Sequence, residues 1–288
     1  MIAKECFAPG SKRKMDKDRV SIHVCSKDRH SELALLLQSL RDQTFQNWDL
    51  VIVEGSQPKP FWEVCRFLMA LINRIKCEGH GVQLLRDEGL GVVQARNMAL
   101  EKDMWKNKYC LRIDDDSICD GTYIERLYSI ISKDEKIGAV SGVVPLFGQP
   151  EFKRENRFVK PIFNKIELDA EGNITKFADD GGYSYMEGET LPAHHLRSSF
   201  MFRRELYDKC GIKFEGTSPS GFREESYWSL RVLMAGYKLF VNTDAKCWHL
   251  RTESGGVRAP DYAQKIQMDD ELFKRWVKEK KDKLWGKL

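Results

Sequence analysis

No stretch of this 288-residue chain is apolar for long enough to cross a bilayer as a helix, which takes about 20 consecutive apolar residues. Met1 to Asp18 carries Lys and Arg but no apolar segment of the kind a secretory signal needs. The eight cysteines include no CxxC pair, so neither a thioredoxin-like redox motif nor a Cys-based zinc knot is indicated. With no export signal, a disulfide framework is not expected in a chain of this length. The expectation is a cytoplasmic protein with reduced thiols, several of them (Cys25, Cys110) serving as small buried hydrophobes. Strong charge of one sign is also missing: a net +4 permits an anionic ligand without demanding nucleic acid. There is no internal repeat and no low-complexity linker. What remains, 31% charged and 42% hydrophobic residues, is the composition of a soluble globular protein.

The first half alternates short β-branched runs with helical stripes. Strands are expected at Val20 to Cys25, Trp48 to Val53, Val82 to Leu85, Tyr109 to Ile113 and Ala139 to Val144. Helices are expected at Ser31 to Arg41, Phe61 to Ile75, Gly91 to Leu100 and Tyr123 to Ser132. Such alternation predicts a parallel sheet with ligands beyond the carboxyl ends of its strands. The pattern turns irregular from Phe147 to about Pro192, where Glu171-Gly172-Asn173 marks a hairpin turn and Asp179-Asp180-Gly181-Gly182 a flexible loop. Residues 148–192 read as an insertion that covers or shapes the site. Regular signals return with strands at Ser198 to Arg203 and Lys238 to Asn242, and helices at Arg204 to Cys210 and Glu224 to Ala235. From Asp261 on, the chain reads as a charged amphipathic helix.

Asp114-Asp115-Asp116 follows the Tyr109–Ile113 run directly. Three adjacent carboxylates repel one another, so holding them together calls for a cation. A hard divalent ion such as Mg2+ or Mn2+ suits oxygen ligands at a strand end and shares its open positions with phosphate. An acidic helix-capping turn is the bland alternative.

Further fragments, in order, carry a resemblance. They are Cys25-Ser26-Lys27-Asp28-Arg29 after the first strand, Ser39 to Val53 (SLRDQTFQNWDLVIV), Ala95-Arg96-Asn97, Ile113 to Asp116, and Ser199 to Arg204. Gly221 to Glu225, Ser229 to Arg231, Ala235 to Lys238 and Trp248-His249 follow them. Together they resemble the family 2 nucleotide-sugar glycosyltransferases with the GT-A fold. That resemblance implies an α/β, Rossmann-like, mixed but mainly parallel sheet flanked by helices, with a C-terminal amphipathic helix added. It implies one GT-A domain over residues 1–260, with a nucleotide-sugar half at about 19–147 and an acceptor half at about 148–260. Residues 261–288 would form a basic tail.

By the resemblance, Asp116 is a direct metal ligand, Asp114 contacts the metal or the ribose, and His249 is a third ligand. For His249 alone, a non-functional residue at the end of an element is the equal alternative. Asp115 falls among the nucleotide-binding positions but would point away on an extended chain. Lys27, Arg29, Glu54 and Arg96 take the remaining nucleotide contacts. Arg96 reads equally as a helix-surface residue bridging to an acid. Glu225 matches the family's catalytic Asp, with Glu224 beside it; either could be the base that deprotonates the acceptor hydroxyl. The implied activity is metal-dependent inverting transfer from a nucleoside-diphosphate sugar, UDP favoured, to a glycan, small-molecule or hydroxymethylated DNA-base acceptor. A nucleotidyltransferase lacks its Gly-rich, basic loop here, and a non-catalytic sugar-nucleotide-binding module is the third reading.

The tail interleaves Lys274, Arg275, Lys278, Lys280, Lys281, Lys283 and Lys287 with Phe273, Trp276, Leu284 and Trp285. Packing of the aromatic stripe on the domain is the favoured reading. Docking on an anionic membrane surface or on nucleic acid is the sharper one.

Overall fold

The computed structural model describes residues 19–89, 91–148, 162–179, 188–216, 221–253 and 261–288. Strands β1 (Val20–Ser26), β2 (Trp48–Glu54) and β4 (Tyr109–Asp114) are buried almost throughout, whereas β3 (Val82–Arg86) is half-buried. Continuous apolar runs of this kind need cover on both faces. They pair in parallel in the order β3-β2-β1-β4. Between them run α1 (His30–Arg41), the short α2 (Phe61–Val64), α3 (Arg66–Cys77) and α4 (Val92–Lys102). Strand alternation sorts the side chains. Leu50 and Ile52 join the core under α1, α3 and α5 (Tyr123–Ile131), while Val51 and Val53 pack on Ala95 and Ala99 of α4.

The second half is built differently. β10 (Phe200–Arg203) inserts antiparallel between β4 and β6 (Ile137–Val143). β11 (Lys238–His249) then runs parallel to β6, while β5 (Ser117–Cys119) and β9 (Thr190–Pro192) pair antiparallel to β11. The sheet is therefore two parallel blocks joined through β10. Buried Arg203 fastens the junction by donating to the carbonyls of Ile137 (2.8 Å), Ile131 (2.7 Å) and Asp134 (2.9 Å). The bond to Ile131 satisfies a carbonyl left over at the end of α5. Helix α7 (Glu224–Met234) covers this half from the α4 side, where Val93 of α4 and Tyr227, Trp228 and Leu230 of α7 share one core.

Several elements differ from expectation for local reasons. The helix expected over Phe61 to Ile75 is broken at Cys65, whose φ of −117° and ψ of 88° are not helical. The strand expected to end at Asn242 continues to His249 across an irregularity between Asn242 and Lys246. There the Asn242 side chain accepts from the amides of Asp244 (3.0 Å) and Ala245 (2.9 Å), so a turn-like sequence sits inside a strand. The helix expected at Arg204 to Cys210 is a single turn, α6 (Glu205–Asp208). Within the supposed insertion, β7 (Ile166–Leu168) and β8 (Ile174–Phe177) form a hairpin around the turn at residues 171–173, and β9 joins the main sheet. Asp180, Gly181 and Gly182 lie outside the described residues.

The C-terminal helices α8 (Tyr262–Glu279) and α9 (Lys281–Leu284) dock by the aromatic stripe: Phe273, Val277 and Leu284 are fully buried. Tyr227 packs edge-on to both Phe273 and Trp276, each at 5.0 Å. Part of the lysine face is also used, since Lys278 donates to Asn173 (3.0 Å) and Lys281 to the Ala170 carbonyl (3.3 Å). Only Trp285 of the stripe is exposed. No helix among the described residues is long and apolar enough to cross a membrane.

Gly142 of β6 tests this packing. A Cβ there would meet the Ala245 carbonyl oxygen and lie 2.6 Å from the Tyr123 ring. Gly142→Ala should lower stability by about 3 kcal/mol through overpacking, read as a lower urea midpoint. An unchanged midpoint would show that β6 and β11 are not packed as described.

Candidate active site

Parallel register brings the carboxyl ends of three strands together: Cys25 of β1 lies beside Val53 of β2 on one side and Asp114 of β4 on the other. After Asp114 the chain turns into β5, and the β5–β11 pairing sets His249 opposite Ser117. This places the His249 Nε2 3.1 Å from Asp116 Oδ1. One ligand atom each from Asp114, Asp116 and His249 lie within 4.8 Å of one another. Two carboxylates and an imidazole at that spacing suit Mn2+ or Mg2+. Asp115 Oδ2 is buried without a hydrogen bond, and Asp116 Oδ2 has the Arg29 guanidinium 3.1 Å away. The donor set therefore fits a divalent cation.

Burial raises the Asp114 pKa to about 6, against the pull of Arg96, with Asp116 adding to the rise. Burial likewise raises Asp115 to about 7 although Arg29 favours its charged form. At Asp116 burial is outweighed by the hydrogen bond and charge of His249 and by Arg29, so its pKa falls. His249 shows the reciprocal effect: burial disfavours the imidazolium, but Asp116 prevails and the pKa rises.

Arg29 Nη1 meets Asp115 at 3.0 Å and Asp116 at 3.1 Å. Asp115 is thus turned onto Arg29, and Arg29 braces the acidic cluster. Arg96 of α4 pairs with Asp114 at 2.9 Å and also contacts Glu224, so it is not a surface residue. Arg112, two residues before the acidic cluster, is a site residue that no motif marks. Its Nη2 donates to Glu224 at 2.6 Å and to Glu225 at 3.2 Å, lies 3.5 Å from Asp114, and its guanidinium sits over the Phe200 ring. A charge inside an otherwise apolar strand was the signal that could have found it. Glu224 is fully buried between Arg96 and Arg112, whereas the Glu225 side chain is 24% exposed. The two glutamates are therefore unlike: one is a buried counter-ion and the other faces the opening.

A cavity of about 570 Å3 lies over these groups, within the range of small-ligand sites. It is lined by Lys27, Arg29, Arg96, the three aspartates, Glu224, Glu225 and His249. Glu54 is not among the lining residues. It is wholly buried and accepts from the Ser56 amide at 2.8 Å, while Gly55 and Asp87 face the cavity beside it. His195 also lines the cavity, its pKa lowered to about 4 by burial. His194 instead faces β7, where the Ile166 amide donates to its Nδ1 at 3.1 Å. Tyr183 and Tyr185 lie outside the described residues.

A second group of potential ligands, His23, Asp103 and Cys110, is buried. There Asp103 is already bound by Arg204 (3.1 Å) and by the amides of Trp105 and Lys106, so this group is a satisfied structural network. The described cysteines are free, and burial raises the Cys25 thiol to about 12. Cys6 lies outside the described residues.

The curled mixed α/β sheet flanked by helices matches the architecture of GT-A glycosyltransferases. Residues 21–231 match the profile of Glycosyl transferase family 2, and the chain belongs to that family. Solved structures share the fold at low identity. TarS 1–349 of S. aureus in complex with UDP-GlcNAc superposes with a TM-score of 0.57 at 13% identity, over 93% of this chain and 73% of that one. The mannosyltransferase PcManGT from Pyrobaculum calidifontis in complex with GDP-Man and Mn2+ gives 0.55 at 14%, over 91% and 64%. GalNAc-T7 with UDP, GalNAc and Mn2+ gives 0.56 at 15%, over 80% and 43%. In another superposition the chain spans 60% of the length of TarS 1–349. No protein of curated function matches by sequence.

Removing one partner from a buried ion network leaves the other charge uncompensated, at a cost of about 3 kcal/mol or more. Arg112→Met should show that loss in urea unfolding, and Arg112→Met combined with Glu224→Met should recover part of it. Wild-type stability in the single variant would show that Arg112 does not hold Glu224 in place.

Proposed function

We propose that this protein transfers a sugar from a nucleoside-diphosphate donor to an acceptor hydroxyl, with a bound Mn2+ or Mg2+ and with inversion at the anomeric carbon. The observation that carries the reading is the meeting in one cavity of Asp114, Asp116 and His249 with Glu225. A UDP-sugar is the favoured donor. The TarS and GalNAc-T7 structures carry UDP-linked or UDP ligands, and PcManGT carries GDP-Man.

Asp114, Asp116 and His249 would hold the cation, which when bound neutralises the negative charge gathering on the departing diphosphate. Lys27 lines the same cavity and offers its ammonium to the phosphates, while Arg29 holds Asp115 and Asp116 in place beneath them. Glu225, partly open to the cavity, accepts the proton of the acceptor hydroxyl as that oxygen bonds to the anomeric carbon. The bond from that carbon to the phosphate oxygen breaks with its electron pair going to the diphosphate, and one displacement inverts the centre. Glu224 serves as the buried counter-ion of Arg96 and Arg112, which leaves Glu225 as the base.

Glu225→Gln should retain calorimetric binding of UDP with Mn2+ but lose roughly 100-fold or more in transfer. Full transfer activity would remove Glu225 from the role. Asp116→Ala should abolish Mn2+-dependent nucleotide binding.

Metal ligands must shed their protons to bind. Asp114 holds its proton up to about pH 6 and His249 has a pKa raised above 6.5. Mn2+ affinity should therefore climb as pH rises from about 5.5 to 7.5. A flat titration across that window would argue against these ligands.

A further inference from the structure

Cys119 of β5 and Cys247 of β11 face each other in the antiparallel β5–β11 pair. The Asp120 amide donates to the Lys246 carbonyl (2.9 Å) and the Leu250 amide to the Asp116 carbonyl (2.8 Å). Hydrogen-bonded and non-hydrogen-bonded pairs alternate along an antiparallel ladder. Cys119–Cys247 and Ser117–His249 are therefore both non-hydrogen-bonded pairs, and the Cys119 amide donates instead to the Ser39 hydroxyl at 3.1 Å. In such pairs the Cα atoms approach to about 4.5 Å, inside the window of about 4.4–6.8 Å that a disulfide accepts. The two Sγ atoms are 3.7 Å apart. Joining them needs side-chain rotation and no change of register.

The position of the pair gives a bond there a consequence. Both thiols share one apolar core with Leu40, Tyr123 and Leu127. β5 is three residues long and ends the main sheet beside β11, so it is the strand with least to hold it in place. Asp116 immediately precedes it, and Cys247 lies two residues before His249 on the same face of β11. A bond between the sulfurs would pin the strand pair that brings Asp116 to His249. The cysteines are 128 positions apart, and closing so long a loop restricts the unfolded chain strongly.

We propose that Cys119 and Cys247 are a redox latch, forming a reversible cross-strand disulfide that locks β5 onto β11 and with it the contact between Asp116 and His249. The inference rests on strand register and does not depend on the glycosyltransferase reading. The oxidant is a low-molecular-weight disulfide such as glutathione disulfide, which reaches the pair when the edge strand opens. One cysteine thiolate attacks a sulfur of the oxidant, forming a mixed disulfide and releasing one glutathione. The other cysteine thiolate then displaces the second glutathione as the Cys119–Cys247 bond forms. The two cysteines give up two electrons and two protons, and the oxidant takes up both and leaves as two thiols.

The test uses the full-length protein with the exposed Cys77 and Cys210 replaced by serine, so that neither competes for the oxidant. One sample is incubated folded in glutathione disulfide, and a second is refolded from urea in the same buffer. Free thiols are then alkylated and the peptides mapped by mass spectrometry. A Cys119–Cys247 cross-link is expected in both samples. The cross-linked protein should melt about 5 °C or more higher. Hydrogen exchange at the Asp120 and Leu250 amides, which bridge β5 and β11, should slow about tenfold. Dithiothreitol should reverse all three effects, and Cys247→Ala in the same background should lack them. No cross-link in either sample would overturn the latch, as would one that forms only during refolding. A cross-link that leaves melting and exchange unchanged, or lowers the melting temperature, would overturn it equally.

Discussion

Asp114, Asp115, Asp116, Glu224 and Glu225 converge on one cavity, and their mutual repulsion is the constraint that the surrounding structure answers. Arg29, Arg96 and Arg112 meet them from three different elements: the loop after β1, helix α4 and strand β4. None of these guanidinium groups lies at the surface. Burial of so many charges is tolerable only with close pairing on both sides. The pairing is also unequal. Glu224 receives two guanidinium groups, whereas Asp114 and Asp115 keep raised pKa values despite theirs. A site left short of positive charge is prepared for a cation from solution.

Strand register does the positioning. Parallel pairing aligns the ends of β1, β2 and β4, and the antiparallel β5–β11 pair carries His249 back to Asp116. A slip of one residue in β11 would point His249 to the opposite face of the sheet. The core that prevents such a slip is apolar and distant from the chemistry: Leu239, Val241, Ala245 and Cys247 of β11 are all buried.

Much of this was legible in the residues. The leucine stripe of α1, the apolar strands and the acidic end of β4 follow from spacing alone, and the order of short motifs carried the family. Other features depend on contacts between distant residues. Arg112 read as one charge in a strand until Glu224, 112 positions away, closed on it. Glu54 read as a nucleotide contact because position in a motif does not say which way a side chain turns. Asn242-Thr243-Asp244 looks like a turn and lies within a strand, since side-chain caps on the backbone resemble one another in both settings. Nothing local in Tyr262 or Lys265, which line the cavity, distinguishes such a helix face from one facing solvent.

His249 and Asp116 are separated by 133 residues, which gives their contact a history as well as a geometry. As the chain leaves the ribosome, the nucleotide-side strands and their acidic terminus emerge long before β11. During that interval the carboxylates have only the arginines already made. The Asp116–His249 contact can close only when the last strand of the sheet has docked. Any nascent or nicked chain that stops short of β11 would carry the whole acidic edge without its imidazole.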